Sequence, residues 1–238
     1  MLLKMHLGAH QKTNQIVNRV TEGFIFSATC SLTDILPSIV GIKKFKLTHE
    51  KYHSFIIYLS IAAFVGINGI LLIISRHYIF SRILSNCYIL FEGIIFIFFF
   101  FQWEVFKKRI ILYAIVTFLF AIWVIDNFFI NSISNINSLY RVIYSTVTVL
   151  LAIKLFQQEY SNNIKYTLKD PLVLISAMLI INYSYRAVFE SLYLFKLDFS
   201  NDFYSDAFDI FVILNVVSNC TFTYAISCMD LRKRLTLY

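Results

Sequence analysis

Residues 54–75 of this chain read SFIIYLSIAAFVGINGILLIIS and contain no charged side chain. Residues 210–229, with the sequence IFVILNVVSNCTFTYAISCM, are equally free of charge. A helix needs roughly 20 consecutive apolar residues to cross the hydrocarbon core of a bilayer, which is about 30 Å thick. Both stretches therefore predict transmembrane helices.

Short charged linkers separate these two stretches from other apolar segments of similar length. The predicted spans are residues 23–41, 54–74, 83–103, 110–130, 138–157, 171–190 and 207–229. The segments are too long for the strands of a membrane barrel and lack strict polar alternation. The sequence therefore predicts an all-α, polytopic transmembrane helix bundle of seven spans, or of six if the first span, which holds Asp34 and Pro37, does not cross.

No linker is long enough for a second folded domain, so residues 23–238 are predicted to form a single transmembrane domain. Residues 1–22 are interpreted as an N-terminal extension, for which an amphipathic helix at the membrane interface is one interpretation. This extension lacks the apolar stretch of a secretory signal peptide, so we expect no cleavage.

The composition agrees with a chain that is surrounded by lipid. Hydrophobic residues make up 58% of the chain, aromatic residues 18% and charged residues only 15%. The 21 Lys and Arg exceed the 14 Asp and Glu, giving a net charge of +7, but these cations lie in the linkers beside the spans. Membrane orientation explains that excess better than nucleic-acid binding does. The four cysteines show no CxxC spacing and are interpreted as packing residues, and no cofactor is expected.

The positions of Lys and Arg predict the orientation, because short cytoplasmic loops retain these residues. Most of them belong to one set of alternate linkers and the C-terminal tail: Lys43, Lys44, Lys46, Lys51, Lys107, Lys108, Arg109, Lys154, Lys165, Lys169, Arg232, Lys233 and Arg234. We therefore expect a multi-pass protein of the cell inner (plasma) membrane, with its N-terminus outside and its C-terminus in the cytoplasm.

Polar side chains recur at helical spacing inside four of the spans. A charge at the centre of a spanning helix costs about 2.5–3.5 kcal/mol on insertion scales, so such residues are candidates for a functional site. We expect Arg141 and Arg186 to contact an anion and Glu92 and Asp126 to act as counter-charges. The other candidate ligand-binding residues share these polar faces: Tyr88, Asn182, Asn215 and Asn219. Their positions place the predicted pocket in the outer half of the bundle.

The same residues have a purely structural interpretation. The charged side chains can neutralise one another in ion pairs between helices, and the Asn side chains can hydrogen-bond across helices as packing contacts. Both interpretations stay open at the level of sequence.

His49-Glu50-Lys51-Tyr52-His53 matches the H-E-x-x-H pattern of zinc peptidases. In that pattern two histidines one helical turn apart bind the metal and the Glu activates water. Here the motif lies in a basic linker and no second motif supplies a third ligand. We therefore predict no metal site and keep a zinc site at His49 and His53 as the minor alternative.

Four stretches of this sequence, together with Pro171 at the start of a span, resemble a group of small, uncharacterised bacterial seven-helix membrane proteins. The stretches are LPSIVGIKK (residues 36–44), NCYILFEGIIF (residues 86–96), NSLYR (residues 137–141) and ILNVVSN (residues 213–219). The resemblance implies seven crossings and a single domain, and no activity comes with it.

The leading functional hypothesis is a sensor or binding module whose outward-facing pocket recognises a small anionic or lipid-derived ligand. Because the cytoplasmic linkers are short, a signal would pass to a partner protein, either cytoplasmic or in the membrane. The alternatives are an ion- or proton-coupled transporter of small molecules and the zinc peptidase, and an enzyme is the less favoured class. Apart from these the expected partner is the lipid bilayer.

Overall fold

The structure, a computed structural model, describes residue 28 and residues 32–135, 137–162 and 169–235. Its helices are α1 (Ile35–Lys44), α2 (His53–Ile74), α3 (Tyr78–Gln102), α4 (Arg109–Val124), α5 (Ser138–Asn162), α6 (Pro171–Leu194) and α7 (Asn201–Leu235). A 3-10 turn, Glu50–Tyr52, precedes α2, and a π-helical turn, Ile125–Ile130, extends α4. The described residues form no strand, and the predicted all-α polytopic bundle is confirmed.

Six helices within the described ranges are long and apolar enough to cross a membrane. They correspond to α2–α7, and between 22% and 50% of each apolar window is buried inside the protein. The remaining surface of each window is available to lipid, as expected of a bundle in a bilayer. The chain is therefore a multi-pass membrane protein.

The first predicted span, residues 23–41, falls partly outside the described residues. Within it the structure describes residue 28 and residues 32–41, and α1, which has 10 residues, begins inside this segment and ends three residues after it. The prediction that residues 23–41 cross the membrane therefore depends on residues outside the described ranges. The N-terminal end of α1 lies beside the middle of α7, because Asn219 donates to Asp34. The C-terminal end of α1 lies near the end of α7, where Lys44 donates to the Ser227 carbonyl over 3.1 Å.

The helices other than α4 form a closed ring in the order α1, α2, α3, α5, α6, α7, and α7 packs again on α1. Helix α4 packs outside this ring, mainly against α3. Many of the basic residues that predict the orientation, among them Lys43, Lys46 and Lys107, lie at one end of the ring. We call this end the cation-rich end and the opposite one the cation-poor end.

Helices α2, α3 and α6 end in the same backbone motif. In each helix the residue after the C-cap has a positive φ, and these residues are Arg76 (62°), Glu104 (58°) and Lys196 (49°). For α6, the N–H of Leu197 donates to the Leu192 carbonyl and that of Lys196 to the Tyr193 carbonyl, which is a Schellman motif. Glycine is the usual residue at this position, so all three helices place a charged side chain where backbone geometry disfavours it.

Aromatic side chains fill the half of the ring nearer the cation-rich end. Phe55, Phe96, Phe99 and Phe100 are fully buried, and the ring of Phe55 contacts that of Phe222 edge to face at 5.2 Å. This packing leaves the charged side chains inside the ring on the side of the cation-poor end.

Candidate ligand-binding site

A cavity of about 720 Å³ opens at the cation-poor end, between the ends of α5, α6 and α7 and the π-helical turn after α4. Its volume lies within the roughly 300–1,000 Å³ typical of small-molecule sites. The cavity is lined by Ile130, Asn131, Ser138, Arg141, Arg186, Phe189, Glu190, Tyr193, Leu194, Lys196, Phe208 and Phe211. Both arginines predicted to contact a ligand therefore reach the same cavity.

Arg141 pairs with Glu190, with 3.2 Å between Nη1 and Oε1. The other oxygen of Glu190 accepts a hydrogen bond of 2.8 Å from Ser138, so one carboxylate of α6 holds two side chains at the start of α5. Nη2 of Arg141 also donates to Ser85 and to Asn86 of α3, both at 3.3 Å. The Arg141 side chain thus connects α3, α5 and α6.

Arg186 pairs with Glu92, which lies deeper in the bundle, with 3.1 Å between Nη1 and Oε2. The second oxygen of Glu92 accepts from Tyr183 at 2.8 Å and from Tyr88 at 3.2 Å. The guanidinium lies 5.7 Å from the ring centroids of Tyr144 and Tyr183, within the range of a cation–π interaction. The Glu92 side chain is 3% exposed, so this carboxylate is stabilised by its three donors and not by water.

The charges around the cavity do not cancel. Arg141 and Arg186 each have one carboxylate partner, whereas the ammonium group of Lys196 forms no hydrogen bond or ion pair with any described residue. Counting these three cations against Glu190 and Glu92 leaves an excess of one positive charge. That charge lies on an exposed side chain of the cavity wall.

Several carboxylates follow the cavity-lining end of α6 in the chain but line no part of the cavity. They are Asp198, Asp202, Asp206 and Asp209, all exposed. Among the residues that line the cavity, Glu190 is the one with a carboxylate, against the three cations Arg141, Arg186 and Lys196.

An aromatic surface forms another part of the cavity wall. The rings of Phe189 and Phe211 are nearly parallel, with centroids 5.9 Å apart, and the ring of Tyr193 contacts Phe189 edge to face at 5.2 Å. Phe208 also lines the cavity. The cavity thus combines cations with an apolar surface, which suits a ligand that has an anionic head and an apolar body.

Asp126 does not serve as the counter-charge of either arginine. It is completely buried, and its Oδ2 accepts a 2.8 Å hydrogen bond from the backbone N–H of Tyr140 in the first turn of α5. Its Oδ1 accepts from the Asn131 side chain at 2.8 Å. The carboxylate thus satisfies an N–H at the start of α5, where a negative charge is also favoured by the helix dipole.

The three predicted asparagines make contacts between helices and line no part of this cavity. Asn182 donates to Asn215 over 2.9 Å and to Ser218 over 3.2 Å, which joins α6 to α7. Asn219 donates to Thr33 over 3.0 Å and also to Asp34. These bonds correspond to the packing role that was the alternative interpretation of the same residues.

His49 and His53 do not lie on successive turns of one helix. His49 has an extended backbone (φ −64°, ψ 142°), and its side chain accepts from the Lys51 N–H. The His53 ring stacks on Phe45 with 4.1 Å between centroids, and its Nε2 is 3.0 Å from the Phe45 carbonyl. In the described ranges no group of three or more His, Cys, Asp or Glu is placed to hold a metal ion, so the geometry of the H-E-x-x-H zinc site is not formed.

Lys196, Glu190 and the aromatic wall were not among the predicted site residues. Glu190 lies one helical turn after Arg186, and this spacing is a signal that could have identified it. Lys196 lies in a linker, and no sequence pattern marks it as a cavity residue.

Comparison of the chain with protein-family models, with curated proteins and with solved structures finds no match.

Proposed function

We propose that this protein is a membrane sensor or binding module that recognises a small amphipathic anion, such as an aromatic or lipid-derived carboxylate or phosphate. The observation that carries the proposal is the cavity in which Arg141, Arg186 and Lys196 exceed their carboxylate partners by one positive charge beside an aromatic wall. The polar surface fixes the anionic head, and the rings of Phe189 and Phe211 accept the apolar body.

The proposal includes the location of the cavity. The excess of Lys and Arg at the cation-rich end supports a cytoplasmic position for that end in an inner (plasma) membrane. The N-terminus is then outside, the C-terminus is cytoplasmic, and the cavity opens outward. Membership of the bacterial seven-helix group that the sequence resembles is part of the same proposal.

The anion first meets Lys196, which has no partner to give up among the described residues. Arg141 adds a second contact, because it lines the cavity and its guanidinium can form two parallel bonds to a carboxylate or phosphate. Its Nε is buried and has no hydrogen-bond partner among those residues. An anion on Arg141 competes with Glu190. Since Glu190 also accepts from Ser138 at the start of α5, this competition connects ligand binding to the packing of α5 on α6.

The proposal is tested with a water-soluble probe pair, 4-phenylbutyrate and its neutral amide, and with the corresponding phosphate-bearing compounds. Binding to the purified protein in phosphatidylcholine nanodiscs is measured by calorimetry. The anion should bind at least tenfold more tightly than the amide, since a hydrogen bond to a charged group is worth about 1.5–3 kcal/mol. Equal binding of anions and their neutral analogues would refute the anion proposal.

The variant Lys196→Gln should weaken anion binding about tenfold and leave binding of the amide unchanged. Arg76→Gln is the matched control, because Arg76 has the same backbone conformation at a helix end and carries the same charge. Arg76 does not line the cavity, so its replacement should not change binding. A loss of similar size in both variants would show that surface charge, and not the cavity, attracts the anion.

Transport is the second candidate, and the deeper polar contacts favour it. From the cavity wall inward, Arg186 pairs with the deeper Glu92, and Asp34, just before α1, accepts from Asn219 in the middle of α7. Beyond these groups the buried phenylalanines around Phe99 fill the ring, so transport would require their rearrangement. Uptake of labelled probe into proteoliposomes distinguishes the two functions, because a sensor binds the anion without accumulating it.

A further inference from the structure

A second concave surface lies at the cation-rich end, on the outside of the ring between α1 and α2. It encloses about 700 Å³. Its apolar wall includes Ile57 and Phe64, which are 45% and 66% exposed. We call this surface the α1–α2 groove. Because it faces away from the interior of the bundle, lipid is the medium that it meets in a membrane.

Close packing of α1 on α2 forms one edge of the groove. A Cβ atom at Gly41 would lie 2.9 Å from Cγ2 of Ile56, so the two helices touch at this point. The hydroxyl of Ser60, which lines the groove, donates to the Ile56 carbonyl of its own helix. The groove surface along α2 therefore behaves as an apolar surface, because the Ser60 hydroxyl already donates to a carbonyl of its own helix.

Two lysines border the groove at the end of α1. Lys43 and Lys46 line it and are exposed, and their ammonium groups form no hydrogen bond or ion pair with other described residues. Lys44 between them is directed to α7, where it donates to the Ser227 carbonyl. The linker that carries Lys46 is held in place, because the ring of Phe45 stacks on that of His53.

Along the axis of the bundle, the lysines and then the apolar wall follow the same order as the headgroup and the acyl chains of a phospholipid. From Ile57 to Phe64 the wall of α2 extends about 10 Å along the helix, away from the cation-rich end, whereas Lys43 and Lys46 lie at that end, where α1 ends and α2 begins. Basic residues at this level attract anionic headgroups. We infer that the α1–α2 groove is a binding site for an anionic phospholipid, with its phosphate on Lys43 and Lys46 and an acyl chain along α2.

This inference concerns a site separate from the cavity of the proposed function and does not depend on it. The test uses phosphatidylcholine nanodiscs that contain a small fraction of phosphatidylglycerol with a photoreactive diazirine in its acyl chain. After irradiation, labelled peptides are mapped by mass spectrometry. Residues 56–64 should be labelled several-fold more by this lipid than by diazirine-bearing phosphatidylcholine.

The double variant Lys43→Gln/Lys46→Gln should abolish this several-fold preference, because each lysine near an anionic headgroup contributes up to about fivefold in relative affinity. Lys107→Gln/Lys108→Gln is the matched control, since it removes the same charge from another linker at the same end and should keep the preference. Ser60→Phe should fill the groove and reduce labelling by both lipids while the lysines stay in place.

Equal labelling of residues 56–64 by the two lipids would overturn the inference, because the groove would then hold lipid without selecting its headgroup. An equal loss of preference in both double variants would also overturn it, because the selectivity would come from the total charge of the cation-rich end. Neither result would bear on anion binding in the cavity at the opposite end.

Discussion

Replacing Arg186 by methionine should destabilise the bundle strongly, because it leaves the Glu92 carboxylate buried without its cation. The two side chains are 3.1 Å apart and are 14% and 3% exposed. Removing one partner of a buried ion pair costs about 3–5 kcal/mol. Tyr183 and Tyr88 continue to donate to Glu92, so we expect the lower end of that range, about 3 kcal/mol.

The complementary variant Glu92→Gln should cost less, about 2 kcal/mol. Its amide oxygen still accepts from Tyr183, and the Arg186 guanidinium still reaches the cavity. In the double variant Arg186→Met/Glu92→Gln no unpaired charge is left at this site. We expect this double variant to lose about 3 kcal/mol of unfolding free energy. The two single losses add to about 5 kcal/mol, so the coupling energy is about 2 kcal/mol.

The free energies of unfolding are measured by titrating the protein in mixed micelles with dodecyl sulfate and following the helical circular dichroism. Lys51 and Glu104 provide the control cycle, because their side chains are 3.4 Å apart but 37% and 64% exposed. The coupling of such an exposed pair should stay below about 1 kcal/mol. If the losses of the Arg186 and Glu92 variants add to within about 0.5 kcal/mol, the two residues do not form the buried pair.

Four further substitutions test individual features by their free energies of unfolding, and the last of them also by anion binding. Asp126→Ala should cost about 1–2 kcal/mol, because the Tyr140 N–H loses its acceptor, and no loss would refute the capping role. Gly93→Ala should cost about 1–3 kcal/mol, because its Cβ would lie 2.8 Å from the Tyr140 hydroxyl, whereas Gly69→Ala meets no atom within 4 Å and should be neutral or stabilising. Lys196→Gly should stabilise the fold by about 1 kcal/mol by relieving its positive φ and yet weaken anion binding; unchanged binding would refute its role in the cavity.

Apolar length was sufficient to predict the fold class, and helical spacing was sufficient to bring Tyr88 and Glu92 to one face of α3. Spacing does not determine which facing helix supplies the partner of a charge. Arg141 accordingly pairs with Glu190, although Asp126 had been expected as a counter-charge. Asp126 lies in the π-helical turn, where the α-helical period that defines a face no longer holds.

The position of Lys196 in the cavity wall could not be predicted from the sequence, for a different reason. Its place in the cavity wall follows from the way α6 ends, since the Schellman motif turns the chain back beside the last turn of the helix. Glycine at the residue after the C-cap would have marked this helix end in the sequence, but a lysine there looks like an ordinary linker residue. Its positive φ, visible only in the structure, identifies a position where backbone strain is retained.

The two arginines differ in what an incoming anion would have to replace. Arg186 is held by Glu92 between two tyrosine rings, so an anion that took this guanidinium would leave a buried carboxylate uncompensated. Arg141 has a partner in Glu190 at the cavity wall itself, and Lys196 has none in the described chain. Affinity for the anion should therefore rise first from contacts with Lys196 and then from contacts with Arg141. The Arg186–Glu92 pair should stay intact at the floor of the cavity, with or without the anion.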